Sequence, residues 1–564
     1  MKLTLRTESP VHVGNGEYLT WLDYALVGRT VHVLDWRAIM EAALLATEDA
    51  GDRLAEFSDN CADLLKKAGD LRPKAPGNQR SEILRKLREE TNPIRFAKET
   101  LGNDLLARAI RSGDYDRYSC EYTGGRLDRR LEIRSQAKDG AGKPTIPASV
   151  LKGQIRTALA HAVLGALDEE GCRRILEGGG GLAGWNRDLQ ESTPGRARFQ
   201  FGDEIEAAAF RPPSGQQRRV VSSDPRVDLM RFLRVSDPLR SSTSMVVLRA
   251  SPFGPVRGRG ENSTHLQPLQ PTVMEAIDTG SQFEFELSVD SMTLRGAAAA
   301  GGGGHPLVRD GFWTLFARVF GLTRDEVKGM DDATMEQRML SAVEVSLAGR
   351  MSALLSRESA WFDRMSAPRD APLRAFVERL RKQEGGRLPL RIGWGTGLHS
   401  LTVLPALEAH PMLAGPLAQV MARTGLGMKP RERRMRAERE KLAIEQARRE
   451  GGGKPGSAAV LREELLSEKT DPTRLPVSRR MTMEGGEPGE YLGFATLVRG
   501  EMTADPPRDR KSEQQMPEPA PAASGKKIRR EKAARPKKER PVLPDRPASQ
   551  TEIADLLKKF GPKH

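Results

Sequence analysis

The chain is poor in cysteine, in aromatic residues and in long apolar runs, and each shortage removes a class of protein. Only three cysteines, Cys61, Cys120 and Cys172, stand in 564 residues. Their odd number and wide spacing give neither a disulfide framework nor a zinc site. They are read as reduced thiols, in keeping with an intracellular compartment. No run of about 18 apolar residues occurs, so no membrane-spanning helix is expected, while charge alone leaves both nucleic acid and an anionic membrane surface open as partners. The opening Met1-Lys2-Leu3-Thr4-Leu5-Arg6 lacks the apolar stretch of a secretory signal, and a cytoplasmic protein is expected. Aromatic residues make up 5% and hydrophobic residues 38% of the chain, which is low for tight packing throughout. No Walker loop, zincin signature, kinase set or nucleophile elbow is present, and no cofactor is expected.

What the chain does have is basic charge. It carries 90 Lys+Arg against 76 Asp+Glu, a net charge of +14, and that sign points to a polyanionic partner. The charge is uneven. Residues 501–564 hold 16 Lys+Arg and 10 Asp+Glu, so this last stretch supplies +6. From about residue 503, Pro, Lys, Arg, Glu and Ala dominate. Such a composition cannot bury enough apolar surface to offset ordering entropy, and a disordered basic tail is predicted. Near its end, Ile553, Leu556, Leu557 and Phe560 follow a capping Thr551 at helical spacing. Too short to be stable alone, this segment reads either as a partner-docking helix or as a frayed tail with accidental periodicity.

Periodicity sets the rest. Alternation at Leu3/Leu5, Val11/Val13, Leu22/Tyr24/Leu26 and Val31/Val33 predicts strands and a hairpin near the start. Helical spacing follows over 36–68 and 80–112. Residues 113–145 are polar and aperiodic, and read as an inserted loop or extended hairpin. A helix is expected from Ser149, as its N-cap, with Leu151, Ile155, Leu159 and Val163 one turn apart. Residues 296–304 form a Gly/Ala link, and 305–384 read as helical. Leu388–Ile392 reads as a strand ending in Gly393-Trp394-Gly395-Thr396-Gly397. Residues 430–450 read as a charged helix or arm. The expected organisation is a domain at 1–295, the link, the helical block, a region at 385–500 and the tail at 501–564.

Four kinds of residue invite chemistry: basic residues, glycines, carboxylates and a histidine. Lys152 and Arg156 lie one turn apart on a predicted helix whose start also favours anions. Arg231, Arg234 and Arg240 flank Phe232 and Leu233, a mixture suited to RNA backbone charge and base stacking, or to salt bridges with Asp228 and Asp237. Gly393, Gly395 and Gly397 allow close backbone approach to a phosphate, or make an ordinary tight turn. The carboxylates Glu17, Asp23 and Asp35 lie close in sequence, but their spacing does not force convergence on a cation. His12 has the chemistry of a general base for attack by a 2′-hydroxyl. Its strand-like setting favours a structural role.

Several segments together resemble the RAMP (repeat-associated mysterious protein) family of CRISPR systems. They are Ser9-Pro10-Val11-His12-Val13-Gly14-Asn15-Gly16-Glu17, Ile146-Pro147-Ala148-Ser149-Val150-Leu151-Lys152-Gly153-Gln154-Ile155-Arg156, Met230-Arg231-Phe232-Leu233-Arg234-Val235-Ser236-Asp237 and Leu390-Arg391-Ile392-Gly393-Trp394-Gly395-Thr396-Gly397. Ala148 stands where the family's helix start usually has glycine, and Pro238 where serine is common. Their order is similar to that of the RAMP subunit ending the backbone of type III-A (Csm) effector complexes. The resemblance implies an α+β fold of ferredoxin-like, RRM-type domains with long helical and hairpin insertions; the polar insertion at 113–145 is read beside it as a thumb-like hairpin reaching across guide and target RNA. It implies a non-catalytic subunit binding CRISPR RNA, target RNA and other type III-A subunits. The RNA-binding residues would be His12, Ser149, Lys152, Gly153, Arg156, Arg231, Arg234, Gly393, Gly395 and Gly397. Outside the resemblance, since the tail matches no family motif, a further reading is an assembly adaptor whose terminal helix recruits a host nuclease for 3′-end trimming. The alternative is a metal-independent endoribonuclease processing precursor CRISPR RNA, using His12 or His161.

Overall fold

The first strand, Lys2–Thr7, and the last, Phe494–Arg499, lie side by side, with Leu5 opposite Leu497. The two ends of the described chain are thereby joined in one antiparallel sheet. The computed structural model describes residues 1–20, 23–71, 90–91, 93–125, 132–172, 209–210, 227–257, 264–300, 310–363, 371–383, 386–397, 400, 402–414, 479–484 and 486–502. All belong to the unit Met1–Arg508; the second unit, Asp509–His564, lies outside the described residues.

In chain order the described strands are β1 (Lys2–Thr7), β2 (Gly14–Leu19), β3 (Tyr24–Val27), β4 (Thr30–Leu34), β5 (Asp116–Tyr122), β6 (Ile133–Gln136), β7 (Leu233–Val235), β8 (Arg240–Ser242), β9 (Met245–Arg257), β10 (Thr264–Pro268), β11 (Thr272–Ile277), β12 (Gln282–Val289), β13 (Leu388–Arg391), β14 (Arg479–Glu484), β15 (Glu487–Tyr491) and β16 (Phe494–Arg499). The helices are α1 (Trp36–Ala46), α2 (Ala50–Leu71), α3 (Pro93–Leu101), α4 (Asn103–Ser112), α5 (Ala148–Gly165), α6 (Ser291–Ala299), α7 (Asp310–Phe320), α8 (Arg324–Gly329), α9 (Asp332–Asp363), α10 (Ala371–Arg381) and α11 (Leu404–Ala409).

The smaller sheet runs β13-β16-β1-β12-β7, with β8 also on β12, and its pairs are antiparallel. Along the chain β1, α5, β7, β12, α9 and β16 alternate as strand, helix, strand, strand, helix, strand. The fourth strand lies beside the first, the first beside the third and the third beside the second. That is the ferredoxin-like arrangement. The crossover helices α5 and α9 pack on each other. Leu3 and Leu5 of β1, Phe283 and Phe285 of β12 and Leu497 of β16 share a core with Leu151, Ile155, Leu159 and Val163, the stripe expected on α5. Burying such side chains contributes about 1.5–3 kcal/mol each, so this stripe fixes the helix on the sheet.

The larger sheet runs β2-β6-β11-β9-β5-β4-β3, with β10 and β14 on β9 and β15 on β14. It contains the described part of the 113–145 insertion: β5 pairs with β4 and β9, and β6 with β2 and β11. Cys120, Tyr122 and Ile133 are buried there. The polar composition concealed these strands because many of their residues are polar or exposed. Of the expected link, residues 296–299 finish α6, with Ala297 and Ala298 buried; 301–304 lie outside the described residues. So do the 430–450 arm and residues 503–564.

Helix α9 joins the two sheets through one buried carboxylate. Glu358 accepts hydrogen bonds from Arg391 of β13 at 3.1 Å, Arg479 of β14 at 2.7 Å and the Tyr491 hydroxyl of β15 at 3.1 Å. Burial pushes its pKa up, but Arg479 and Arg391 outweigh that and hold it down to about 2.

Candidate nucleic-acid interface

The start of α5 and the 228–234 segment form one basic group. The N-cap is Pro147, whose φ of −58° suits a helix entry. Ser149, expected as the cap, lies inside the helix and is exposed. The Asp237 carboxylate instead accepts from the Ala148 N–H at 2.8 Å, across 89 residues. A protein carboxylate therefore already uses part of the anion preference of this helix start.

Arg156 reaches both oxygens of Asp228, at 3.1 and 3.2 Å, and lies 4.4 Å over the Phe210 ring. Arg234 pairs with Asp290 at 2.6 Å, and Arg231 stacks 5.4 Å over Phe232. Lys152 is half-buried. Burial lowers its pKa first, Asp228 opposes that, and Arg156 and Arg234 lower it further. Lys152, Arg156 and Arg234 thus lie within electrostatic reach of one another, with the carboxylates of Asp228 and Asp290 set among them. Gly153 is exposed, and no atom lies within 4 Å of the place a Cβ would occupy.

The glycine loop faces elsewhere. Gly393 has φ +82°, and a Cβ there would stand 2.5 Å from the His12 carbonyl oxygen. The Trp394 N–H donates to that same oxygen at 2.7 Å. Gly395 packs against Leu492 and the Arg480 stem, while Gly397 is exposed with open space beside it. Gly393 and Gly395 are therefore needed for close packing; of the three, Gly397 faces open space.

His12 is 2% exposed. Its Nδ1–H donates to the Glu275 carbonyl at 2.6 Å, and its ring meets Trp394 edge-on at 6.2 Å between centroids. Burial lowers its pKa to about 4, with the Glu275 carbonyl opposing and Arg134 adding to the fall. Burial likewise lowers His161 to about 4, with Arg350 adding. Both rings are neutral near pH 7. The Glu275 carboxylate below His12 is fully used by Tyr118, Ser135, Gln136 and Lys138, at 2.7 to 3.2 Å.

The three early carboxylates do not converge. Glu17 holds Asn15, Asp23 holds Thr20, and Asp35 caps α1 through the Arg37 and Ala38 N–H groups. Among the described residues no group of three or more His, Cys, Asp or Glu is placed to hold a metal. No described helix is long and apolar enough to cross a membrane.

Sequence reasoning missed a second basic group. Trp394 lies on one face of the larger sheet, over Val246, Leu248, Ala250, Met274 and Ala276. Arg480 stands 4.2 Å and Arg134 5.1 Å from its ring centroid. Arg134 also stands 5.3 Å from the ring of Tyr18, its cross-strand partner between β2 and β6. Neither arginine is paired with a carboxylate among the described residues. The available signal was the Arg479-Arg480 doublet in an alternating segment, with Trp394 between two glycines.

Comparison with known proteins agrees with this architecture. Residues 4–285 match the family model of the RAMP superfamily. The fold is similar to a chain of the cryo-EM structure of a Csm–crRNA–target RNA ternary complex of a type III-A CRISPR-Cas system. Identity there is 19% and the TM-score 0.51, over 88% of this chain and 100% of that one. The crystal structure of T. onnurineus Csm5 is similar at 20% identity and a TM-score of 0.44, over 87% of this chain and 99% of that one. No curated protein matches the sequence.

Proposed function

The chain belongs to the RAMP superfamily, and on that premise we propose that it is a non-catalytic RNA-binding subunit of a type III-A ribonucleoprotein complex, holding the 3′ part of the CRISPR RNA. The observation that carries this is the gathering of Lys152, Arg156 and Arg234 into one field at the start of α5, with Arg231 on the same segment as Arg234. Such a group reads backbone charge rather than sequence, as a subunit serving many different guides requires. Gly153 and Ser149, both exposed, leave room for a backbone to lie along the helix. Gly397 is the loop glycine open to the same kind of contact, whereas Gly393, Gly395 and His12 act by shaping the fold beneath it.

The endoribonuclease alternative is disfavoured by the setting of its bases. His12 is enclosed and its Nδ1 is engaged, and His161 is half-buried beside Arg350. Target RNA and other type III-A subunits complete the proposed partners, in antiviral defence. Recruitment of a host nuclease belongs to residues 503–564, outside the described residues. Deleting them and measuring guide length tests it, with unchanged length counting against it. For the main proposal, Lys152→Ala with Arg156→Ala is expected to lower guide RNA content of assembled complexes equally for all spacers. Normal guide content in that variant would overturn the proposal.

A further inference from the structure

Two arginines that share one indole ring without a carboxylate are an unusual thing to find on a sheet face. Like charges repel, and the ordinary remedy elsewhere in this chain is an acidic partner, as Asp228 is for Arg156 and Asp290 for Arg234. Around Trp394 that remedy is absent among the described residues. Burial lowers the pKa of Arg480, and Arg134 lowers it further. Arg134 moreover has a buried Nε with no hydrogen-bond partner. Tyr18 closes the row at the sheet edge, where β2 is the terminal strand, and it is 46% exposed.

The geometry points to Tyr18, Arg134, Trp394 and Arg480 as a stacking site for single-stranded RNA, in which a base lies on the exposed Tyr18 ring and a phosphate sits against the two guanidiniums. Three features fit that ligand. Aromatic faces and planar guanidiniums alternate along one row, and both stack on bases of any identity. The two positive charges lack a local anion, which a phosphate supplies. The row is also rigid. Tyr18 and Arg134 are fixed by strand register, Arg480 by its pairing opposite Pro252, and Trp394 by its N–H on His12. The glycine loop thus serves the RNA indirectly, by laying Trp394 between the arginines.

This inference rests on the RNA-binding proposal above, and its test separates the two. The full-length protein is titrated with a fluorescent single-stranded RNA and with an abasic strand of the same length. Wild type is expected to bind the base-containing strand roughly ten-fold more tightly. Tyr18→Ala, an exposed change that spares the fold, is expected to remove most of that preference. Arg480→Ala and Arg134→Lys are expected to weaken binding of the base-containing strand. Equal binding of both strands by wild type, or an unchanged preference in Tyr18→Ala, overturns the stacking site. If Lys152→Ala with Arg156→Ala weakens both strands while these variants do not, only this inference fails. If no variant of either group changes binding, the RNA-binding proposal fails with it.

Discussion

Arg479 and Arg480 are neighbours on β14, yet the two-residue period of a strand sends them into opposite environments. Arg479 is 6% exposed, bonded to Glu358 and stacked 4.8 Å over Trp361. Arg480 is half-buried and stacked on Trp394, with Arg134 rather than a carboxylate as its charged neighbour. Both guanidiniums use an aromatic ring; they differ in counter-charge. A paired, enclosed arginine organises the protein: Arg479 is one of three donors through which the Glu358 carboxylate ties α9 to β13, β14 and β15. An unpaired arginine at an accessible face is available to an anion from outside. The same contrast orders the α5 group, where Arg156 and Arg234 are each held by an aspartate and must exchange or share it to meet a phosphate.

The contrast is broken most sharply at Glu358. Glu358→Ala removes the carboxylate that buried Arg391 and Arg479 share, and about 3–5 kcal/mol of stability is expected to be lost. Urea unfolding measures it, and a loss below about 1 kcal/mol would mean the clamp is not what joins the sheets. Acid should act on the same group. The folded-state pKa of Glu358 is depressed from 4.5 to about 2, so its contribution is present above pH 4.5 and fades as pH falls toward 2. His12 and His161, lowered from 6.5 to about 4, add an earlier loss as pH falls from 6.5 to 4. A stability curve measured from pH 7 to 3 is expected to decline in both windows. Glu358→Gln should flatten the lower one, and His12→Gln part of the upper one.

Smaller effects sharpen the comparison. Gly393→Ala places a Cβ against the His12 carbonyl at a φ of +82°, and a cost of about 1–3 kcal/mol is expected, together with displacement of Trp394. Gly397→Ala meets only the backbone strain, about 1 kcal/mol. Equal melting shifts for the two would contradict a packing role for Gly393. Least of all, Arg234→Ala removes an exposed pair with Asp290 and is expected to change stability by less than about 1 kcal/mol while weakening RNA binding. Thermal melts and RNA titration on the same preparation would show that separation or its absence.

The elements whose signal repeats along the chain were legible from sequence. The α5 stripe and the β3–β4 hairpin need only neighbouring residues to be recognised. The sheet order was not, because β1 and β16 meet across almost the whole chain and no local pattern reports that pairing. The cap of α5 was misplaced for a related reason: Ser149 has the right chemistry, but Asp237 arrives from a distant strand end. Lys152 and Arg156 were visible because helical spacing brings them together. Tyr18, Arg134, Trp394 and Arg480 were not, since they come from β2, β6, a loop and β14 and meet only through sheet register. Composition alone could not distinguish Arg479 from Arg480, because counter-charge is a property of the fold.

The most direct measurement is to incubate the purified full-length protein with end-labelled CRISPR RNA in EDTA and record, in one sample, the fraction bound and the length of the RNA. Bound RNA of unchanged length, lost in the Lys152→Ala, Arg156→Ala variant, is the expected result. Specific cleavage abolished by His12→Ala, or no binding at all, would contradict the account.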